Sequence, residues 1–216
     1  MPGYQIDGEE NMALFKKNIH IDSIKIKTPI IGVGMTISEE AALAPSCIFE
    51  TIQGNILTLK GYSALVVPTN KFFKPGKGSL DSYAYPAAGD GLFKELHQLG
   101  SCEPGNAEVT GAYNLPYDFI IHVVGKNWDG NNKGNEEILR QCYTCVMEKA
   151  LLYKIRSIAF PSIGTGNNGF PLTKAAGIAV DSVEDFVGNH EGGFDRIAWV
   201  LKGKETYDVY RKIIGK

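Results

Sequence analysis

Short runs of consecutive apolar residues recur along the chain, and they limit the possible folds more than any other feature of the sequence. The clearest runs have the sequences A-L-V-V, F-I-I-H-V-V and I-A-W-V-L. Such runs are typical of strands that are covered on both faces of a sheet. The segments predicted to be strands are Ser23–Val33, Ile48–Ile52, Ala64–Val67, Phe119–Val124, Ser157–Ile163 and Arg196–Leu201.

Segments with helical periodicity lie between these strands. In Glu136–Leu152, the clearest of them, Ile138, Cys142, Val146 and Ala150 fall on one side. The other predicted helices are Leu92–Leu99, Thr173–Phe186 and Glu205–Ile214. Because buried strands alternate with helices, the sequence predicts an α/β fold with a largely parallel sheet and helices on both faces.

Length, charge and cysteine content narrow the class of protein. A chain of 216 residues fits one domain, and its formal net charge of −2 makes nucleic acid an unexpected main partner. No apolar run is long enough to cross a membrane, and Met1-Pro2-Gly3 does not begin a signal peptide. Cys142 and Cys145 lack a second pair or a His cluster, so they are interpreted as packing residues, not metal ligands. We therefore expect a cytoplasmic protein without a metal or a bound cofactor.

Two glycine-rich loops follow predicted strands and run toward helices. One is Pro68–Asp81 (P-T-N-K-F-F-K-P-G-K-G-S-L-D), and the other is Phe160–Phe170 (F-P-S-I-G-T-G-N-N-G-F). Glycine lets backbone N–H groups approach an anion, and a loop that enters a helix favours anion binding. By itself, Phe160–Phe170 fits a diphosphate cradle and an ordinary strand–helix connection equally well. Two such loops at the carboxyl edge of one sheet favour a single ligand held from both sides.

Five segments follow one another in an order that is more specific than any of them alone. They are Gln53–Ile56, Leu65–Asn70 with Gly76–Gly89, Cys102–Pro116, Ile121–Trp128 and Ser157–Ala176. Together they resemble the macrodomain family, a class of ADP-ribose-binding modules. The resemblance covers about residues 48–215. It predicts an N-terminal extension with a first strand (residues 1–45) and a macrodomain (residues 46–216).

The resemblance implies a three-layer α/β/α domain with a central mixed, largely parallel sheet and ADP-ribose across the strand ends. Backbone amides of residues 162–169 would wrap the diphosphate, and Phe170 would pack against the distal ribose. Alternatively, Phe170 is a hydrophobic staple on the following helix. The implied ligand-binding residues are Asn55, Ile56, Gly78, Ser79, Ser162, Ile163, Gly164, Thr165, Gly166, Asn167, Asn168, Gly169, Phe170 and Lys202.

Asn70 and Asp81 are the candidate catalytic residues that the resemblance implies. Asn70 matches the last Asn of the family's N-A-A-N, whose amide can fix a ribose hydroxyl or the attacking water; otherwise it is a turn residue. Asp81 matches the acid of G-G-V-D, which in hydrolases can help orient or activate a water beside the anomeric carbon. Its alternative interpretation is a helix N-terminal acid that is stabilised by the helix dipole.

Several positions depart from the family's pattern. Val67 replaces the first Asn of N-A-A-N, and Pro68 and Thr69 replace the residues that follow it. Lys77 interrupts a run of glycines, where it either meets a phosphate or is solvated. Asn55 stands where an Asp commonly receives the adenine amino group; its carbonyl can accept the same hydrogen bond, or it is a turn residue. Lys202 replaces an aromatic residue that often stacks on adenine, and its stem and ammonium group can cover the ring instead.

The residues favour one function and leave two alternatives. The favoured function is a mono-ADP-ribosyl hydrolase whose partner is ADP-ribose or a mono-ADP-ribosylated protein. The alternatives are a non-catalytic ADP-ribose reader and a binder of another nucleotide. His122 lies inside an apolar strand and is interpreted as a core residue, not as a catalytic base.

Overall fold

The computed structural model describes residues 47–130 and 132–215, except for the side chain of Asn132. The predicted strand Ser23–Val33 and the N-terminal extension of residues 1–45 lie outside the described residues. In chain order the elements are β1 (Ile48–Gln53), a 3-10 helix (Ile56–Thr58), β2 (Ala64–Thr69), α1 (Asp81–Ala88), α2 (Asp90–Leu99), β3 (Ala107–Gly111), β4 (Phe119–Val124), α3 (Asn132–Leu152), β5 (Ser157–Phe160), α4 (Leu172–Gly188), β6 (Arg196–Leu201) and α5 (Lys204–Ile214).

The six strands form one mixed, mostly parallel sheet in the order β1-β6-β5-β2-β4-β3. All neighbouring strands are parallel except β3, which pairs antiparallel with β4. The predicted fold class is confirmed, because the sheet is the central layer of an α/β/α arrangement.

β2 shows why the central strands must be apolar throughout. Ala64 and Val66 belong to the core that α3, α4 and α5 cover, whereas Leu65 and Val67 belong to the core beneath α1 and α2. Since successive side chains of a strand point to opposite faces, each of these four residues is buried only because both faces are covered. All four have 0% exposure.

The separation of β2 from β5 makes room for a site. The two strands pair only at Ala64 with Ile158 and at Leu65 with Ala159. Beyond these pairs β2 continues to Thr69 along β4, while β5 ends at Phe160 before Pro161. The predicted strand end at Ile163 is therefore wrong by three residues. Proline cannot donate a ladder hydrogen bond, which explains why the β5 ladder ends there.

His122 is a core residue, as predicted. Its side chain in β4 is fully buried; Nδ1 lies 2.9 Å from the Tyr85 hydroxyl, and Nε2 lies 2.8 Å from the Thr110 hydroxyl. Burial lowers its pKa from 6.5 to about 3. A neutral, hydrogen-bonded imidazole in the sheet is a structural group and not a base that faces solvent.

Cys142 is completely buried in the core on the inner side of α3, which confirms its packing role. In the ranges 47–130 and 132–215, no group of three His, Cys, Asp or Glu side chains is arranged to hold a metal ion. In the same ranges, every helix is too short or too polar to span a bilayer.

Candidate functional site

A cavity of about 390 Å³ opens beyond the carboxyl ends of β2 and β5. The first loop, residues 70–80, connects β2 to α1, and the second loop, residues 161–171, connects β5 to α4. The lining comprises residues 68–70, 76, 78–81, 161, 162 and 164–168. The two loops also touch each other, because the Asn167 side-chain amide donates a 3.0 Å hydrogen bond to the Lys77 carbonyl. One cavity held between two glycine-rich loops is the arrangement that the sequence predicted.

Internal hydrogen bonds give the second loop its shape. The backbone N–H of Phe170 donates to the Gly164 carbonyl at 2.9 Å, and the N–H of Gly169 donates to the Gly166 carbonyl at 2.9 Å. Gly164 and Gly169 have φ values of 84° and 70°, a region that glycine enters without a Cβ penalty. The turn is thus fixed by its own backbone before any ligand arrives.

The backbone N–H groups of residues 164–168 are available to a ligand. Within the part of the chain that the structure describes, none of these five consecutive groups donates to a protein acceptor. All five residues line the cavity. Successive N–H groups that point into a concavity attract an anion by their partial positive charges. The second loop is therefore built as a backbone cradle for an anion.

Ser162 ties the start of the cradle to α5. Its hydroxyl lies 3.0 Å from the Tyr210 hydroxyl, and its carbonyl accepts a 3.1 Å bond from the Thr165 hydroxyl. Burial raises the pKa of Tyr210 to about 12, so its hydroxyl keeps its proton at neutral pH. Ile163 faces the core with 0% exposure, and its N–H lies 3.4 Å from the Tyr143 hydroxyl. Ile163 was predicted to bind the ligand, but its buried side chain instead supports the cradle from the core side.

Asp81 lines the cavity, but its carboxylate is largely occupied by the protein. The side chain is 2% exposed and opens the first turn of α1. One carboxylate oxygen accepts from the Gly76 N–H at 3.2 Å and from the Ser79 hydroxyl. The other accepts from the Thr69 hydroxyl at 3.1 Å. A carboxylate offers about four acceptor positions, so roughly one is left for a ligand or a water.

Asn70 lies at the rim of the same cavity and holds the first loop closed. Its carbonyl oxygen accepts from the N–H groups of Phe72 at 3.2 Å and Lys74 at 3.3 Å. Its amide nitrogen donates to the Lys74 carbonyl. The structure brings Asn70 and Asp81 to one cavity, as predicted, and shows that each also organises the loop. Their catalytic roles stay predictions.

Asn55 and Lys202 lie at the same edge of the sheet, beyond the lining of the cavity. They follow β1 and β6, which pair in parallel from end to end. Both side chains are exposed. The Asn55 carbonyl oxygen caps the 3-10 helix by accepting from the Leu57 N–H at 3.0 Å. Ile56 has a buried side chain, and its carbonyl accepts from the Tyr117 hydroxyl at 2.5 Å.

Phe170 packs into the core beneath the second loop. Its side chain is 5% exposed, and its ring centroid lies 4.5 Å from that of Trp128. The N–H of Trp128 donates to the Asn168 carbonyl at 2.8 Å. Phe170 therefore fixes the second loop from below, and its predicted contact with a distal ribose stays a prediction.

Thr69 is the site residue that the sequence reasoning missed. It lies at the end of β2, lines the cavity and donates to Asp81. The signal was present, because Thr69 stands within the segment that departs from the family's N-A-A-N. A hydroxyl at this position supplies a donor that alanine lacks.

Comparison with known proteins gives a consistent result. Residues 66–179 match the family model described as Macro domain. A Macro domain-containing protein of Methanosarcina mazei is 42% identical over 139 residues, which cover 64% of this chain and 73% of that protein. An O-acetyl-ADP-ribose deacetylase of Klebsiella pneumoniae is 35% identical over 169 residues, which cover 76% of this chain and 95% of that protein.

The structure is similar to that of a Trypanosoma brucei macrodomain in complex with ADP. The TM-score is 0.73 at 28% sequence identity, and the match covers 78% of this chain and 69% of that one.

Proposed function

The chain belongs to the Macro domain family, and on this premise we propose that its cavity binds ADP-ribose. The observation that carries the proposal is the row of backbone N–H groups at residues 164–168, which meets the need of a pyrophosphate for many donors. The ligands named for similar proteins, ADP and O-acetyl-ADP-ribose, contain that group.

The two ends of the ligand would lie on opposite sides of the cradle. Adenosine would extend over the ends of β6 and β1 toward Lys202 and Asn55. The distal ribose would lie beside Asn70 and Asp81, which line the cavity on the side of the first loop. The N-terminus of α1 with Gly78 and Ser79 would add partial positive charge near the phosphates.

We further propose that the protein hydrolyses mono-ADP-ribosyl groups on proteins or related adducts. Water would attack the anomeric carbon of the distal ribose, the bond to the modified side chain would break, and the proton would pass to the leaving group. The remaining N–H of Asn70 and the remaining acceptor position of Asp81 would orient that water. Orientation alone can lower a barrier substantially when no covalent nucleophile takes part.

A non-catalytic reader is the second candidate, and a specific observation favours it. The polar atoms of both candidate catalytic side chains are mostly engaged in hydrogen bonds to the first loop and to Thr69. A site arranged in this way binds a sugar phosphate even if no water is activated.

Two measurements on the same preparation test these proposals. Calorimetry with ADP-ribose is expected to show one site per chain, and a mono-ADP-ribosylated protein is expected to lose its label with time. Binding without turnover would leave the reader as the function. If ADP-ribose produces no heat of binding and no increase in Tm, the proposed ligand is wrong.

A further inference from the structure

A lobe of the first loop lies beside the cavity and is held by hydrogen bonds. It comprises residues 71–75 and lies between Asn70 and Gly76, both of which line the cavity. The Asn70 side chain bonds across its base, and Asp81 accepts from the N–H of Gly76 at its end. The Lys71 carbonyl also accepts a 2.9 Å bond from the N–H of Cys102. The lobe is thus fastened at both ends and on its outer side.

Phe73 anchors the lobe and forces its neighbour outward. The Phe73 side chain is 3% exposed, and its ring centroid lies 5.9 Å from that of His122. Its φ of 55° is a strained conformation for a bulky residue. Because the chain holds this conformation, Phe72 is presented to solvent with 58% exposure.

Three lysines lie near Phe72 in the sequence, and the Lys71 ammonium group lies 5.9 Å from the centroid of the Phe72 ring. Lys74 and Lys77 are exposed, and neither forms an ion pair with any residue that the structure describes. Lys71, in contrast, is paired with Glu103. An exposed aromatic ring with two unneutralised ammonium groups stands out on a chain whose formal net charge is −2. We call Phe72, Lys74 and Lys77 the lobe patch.

We propose that the lobe patch binds an acidic segment of the protein that carries the ADP-ribosyl group, an inference that rests on the proposed function. A polypeptide attached to the distal ribose would leave the cavity beside Asn70, and the lobe begins at the next residue. Carboxylates of that polypeptide would meet Lys74 and Lys77, and an apolar group would cover the Phe72 ring. Opposite charges at such a rim select partners and speed their encounter.

An acidic polypeptide fits the lobe patch better than nucleic acid does. Single-stranded nucleic acid is bound by a basic groove in which several aromatic rings stack on successive bases. The lobe patch offers one exposed ring and two lysines, of which Lys74 lies on the lobe and Lys77 lies just beyond it. The occupant of the cavity also supplies a polypeptide at this position.

The test uses two peptides that carry ADP-ribose through the same non-hydrolysable linkage. One has Asp and Glu on both sides of the modified residue, and the other has Lys and Arg. Calorimetry with the full chain is expected to show that the acidic peptide binds about tenfold tighter than the basic one, with a smaller difference at high salt. Free ADP-ribose is titrated in parallel as the reference.

Variants assign the preference to the lobe patch. Lys74→Glu and Phe72→Ala are expected to weaken the acidic peptide severalfold while the affinity for free ADP-ribose stays unchanged. Lys60→Glu is the matched control, because Lys60 is exposed and precedes β2 at the opposite end of the strand from the cavity. It should leave both affinities as they are.

The outcomes separate the two proposals. If free ADP-ribose binds but the two peptides have equal affinity, or Lys74→Glu changes nothing, the lobe patch proposal is wrong and the proposed function stands. If an unmodified single-stranded oligonucleotide displaces the acidic peptide and Lys74→Glu abolishes that displacement, the patch is a nucleic-acid site instead. If free ADP-ribose does not bind, both proposals fail.

Discussion

Thr69 and Asp81 join the end of β2 to the start of α1 through a 3.1 Å hydrogen bond from the Thr69 hydroxyl to an oxygen of the Asp81 carboxylate. Asp81 also accepts from the N–H of Gly76 on the same loop. The first loop is therefore closed around a buried carboxylate, and the wall of the cavity depends on that closure.

Replacing Thr69 by valine should destabilise the protein. Valine has nearly the same shape but removes one donor from a carboxylate that is 2% exposed. We expect the free energy of unfolding to fall by about 1–3 kcal/mol, as measured by urea denaturation. Thr173→Val is the control, because Thr173 is exposed on α4. Equal losses in both variants would show that the Thr69–Asp81 bond contributes nothing.

A side chain added at Gly166 should block the ligand and spare the fold. A Cβ at Gly166 would meet no atom within 4 Å. Gly166 lines the cavity and belongs to residues 164–168, whose backbone N–H groups are available to a ligand. Gly166→Val should weaken ADP-ribose by at least about tenfold in calorimetry while Tm changes little. Gly188→Val is the matched control, since Gly188 also has open space and ends α4 far from the second loop. Wild-type affinity in Gly166→Val would place the ligand elsewhere.

Removal of the Asn70 side chain should slow hydrolysis. If Asn70 orients water at the distal ribose, Asn70→Ala should lower kcat on a mono-ADP-ribosylated protein by about a hundredfold. Asn189→Ala is the control, because Asn189 also bonds a backbone carbonyl, that of Asp185, at the end of α4. Wild-type rates in both Asn70→Ala and Asp81→Ala would remove these residues from the proposed reaction.

The central strands could be predicted from the sequence because burial on both faces leaves a continuous apolar run. β2, β4 and β6 are of this kind. β3 was missed because A-E-V-T-G is not such a run; the strand lies at the edge and pairs only with β4. Its Glu108 is paired with Lys149 of α3, so a charge occurs inside a strand. β1, the other edge strand, was predicted, so the weaker signal of β3 comes from its partly covered polar residues and not from its edge position.

The order of the motifs predicted that two loops would meet at one cavity. The hydrogen-bond partners of each polar side chain could not be predicted, because they depend on how the loop folds. Asn70 and Asp81 were predicted to face a ligand, and both line the cavity. The bonds between the Asn70 side chain and Lys74 span a turn in which Phe73 has a positive φ. The sequence K-F-F-K does not predict that conformation, because phenylalanine rarely adopts it.

Because of His122, the protein should become less stable as the pH is lowered. Burial lowers its pKa in the folded protein to about 3, whereas its ordinary value is 6.5. Above pH 6.5 the imidazole is neutral in both states and contributes no pH dependence. As the pH falls below that value, His122 binds a proton in the unfolded chain but stays neutral in the folded protein. The free energy of unfolding therefore decreases until about pH 3.

The slope attributable to this one group is up to about 1.4 kcal/mol per pH unit. His122→Asn removes the titrating group, so its stability should fall less steeply than that of the wild type between about pH 6 and about pH 4. Urea denaturation across that range measures both slopes, and the comparison cancels the carboxylates that the two proteins share. His97→Asn is the control, because it makes the same replacement at an exposed position of α2. Parallel curves for the wild type and His122→Asn would mean that the buried imidazole accepts a proton without unfolding the protein.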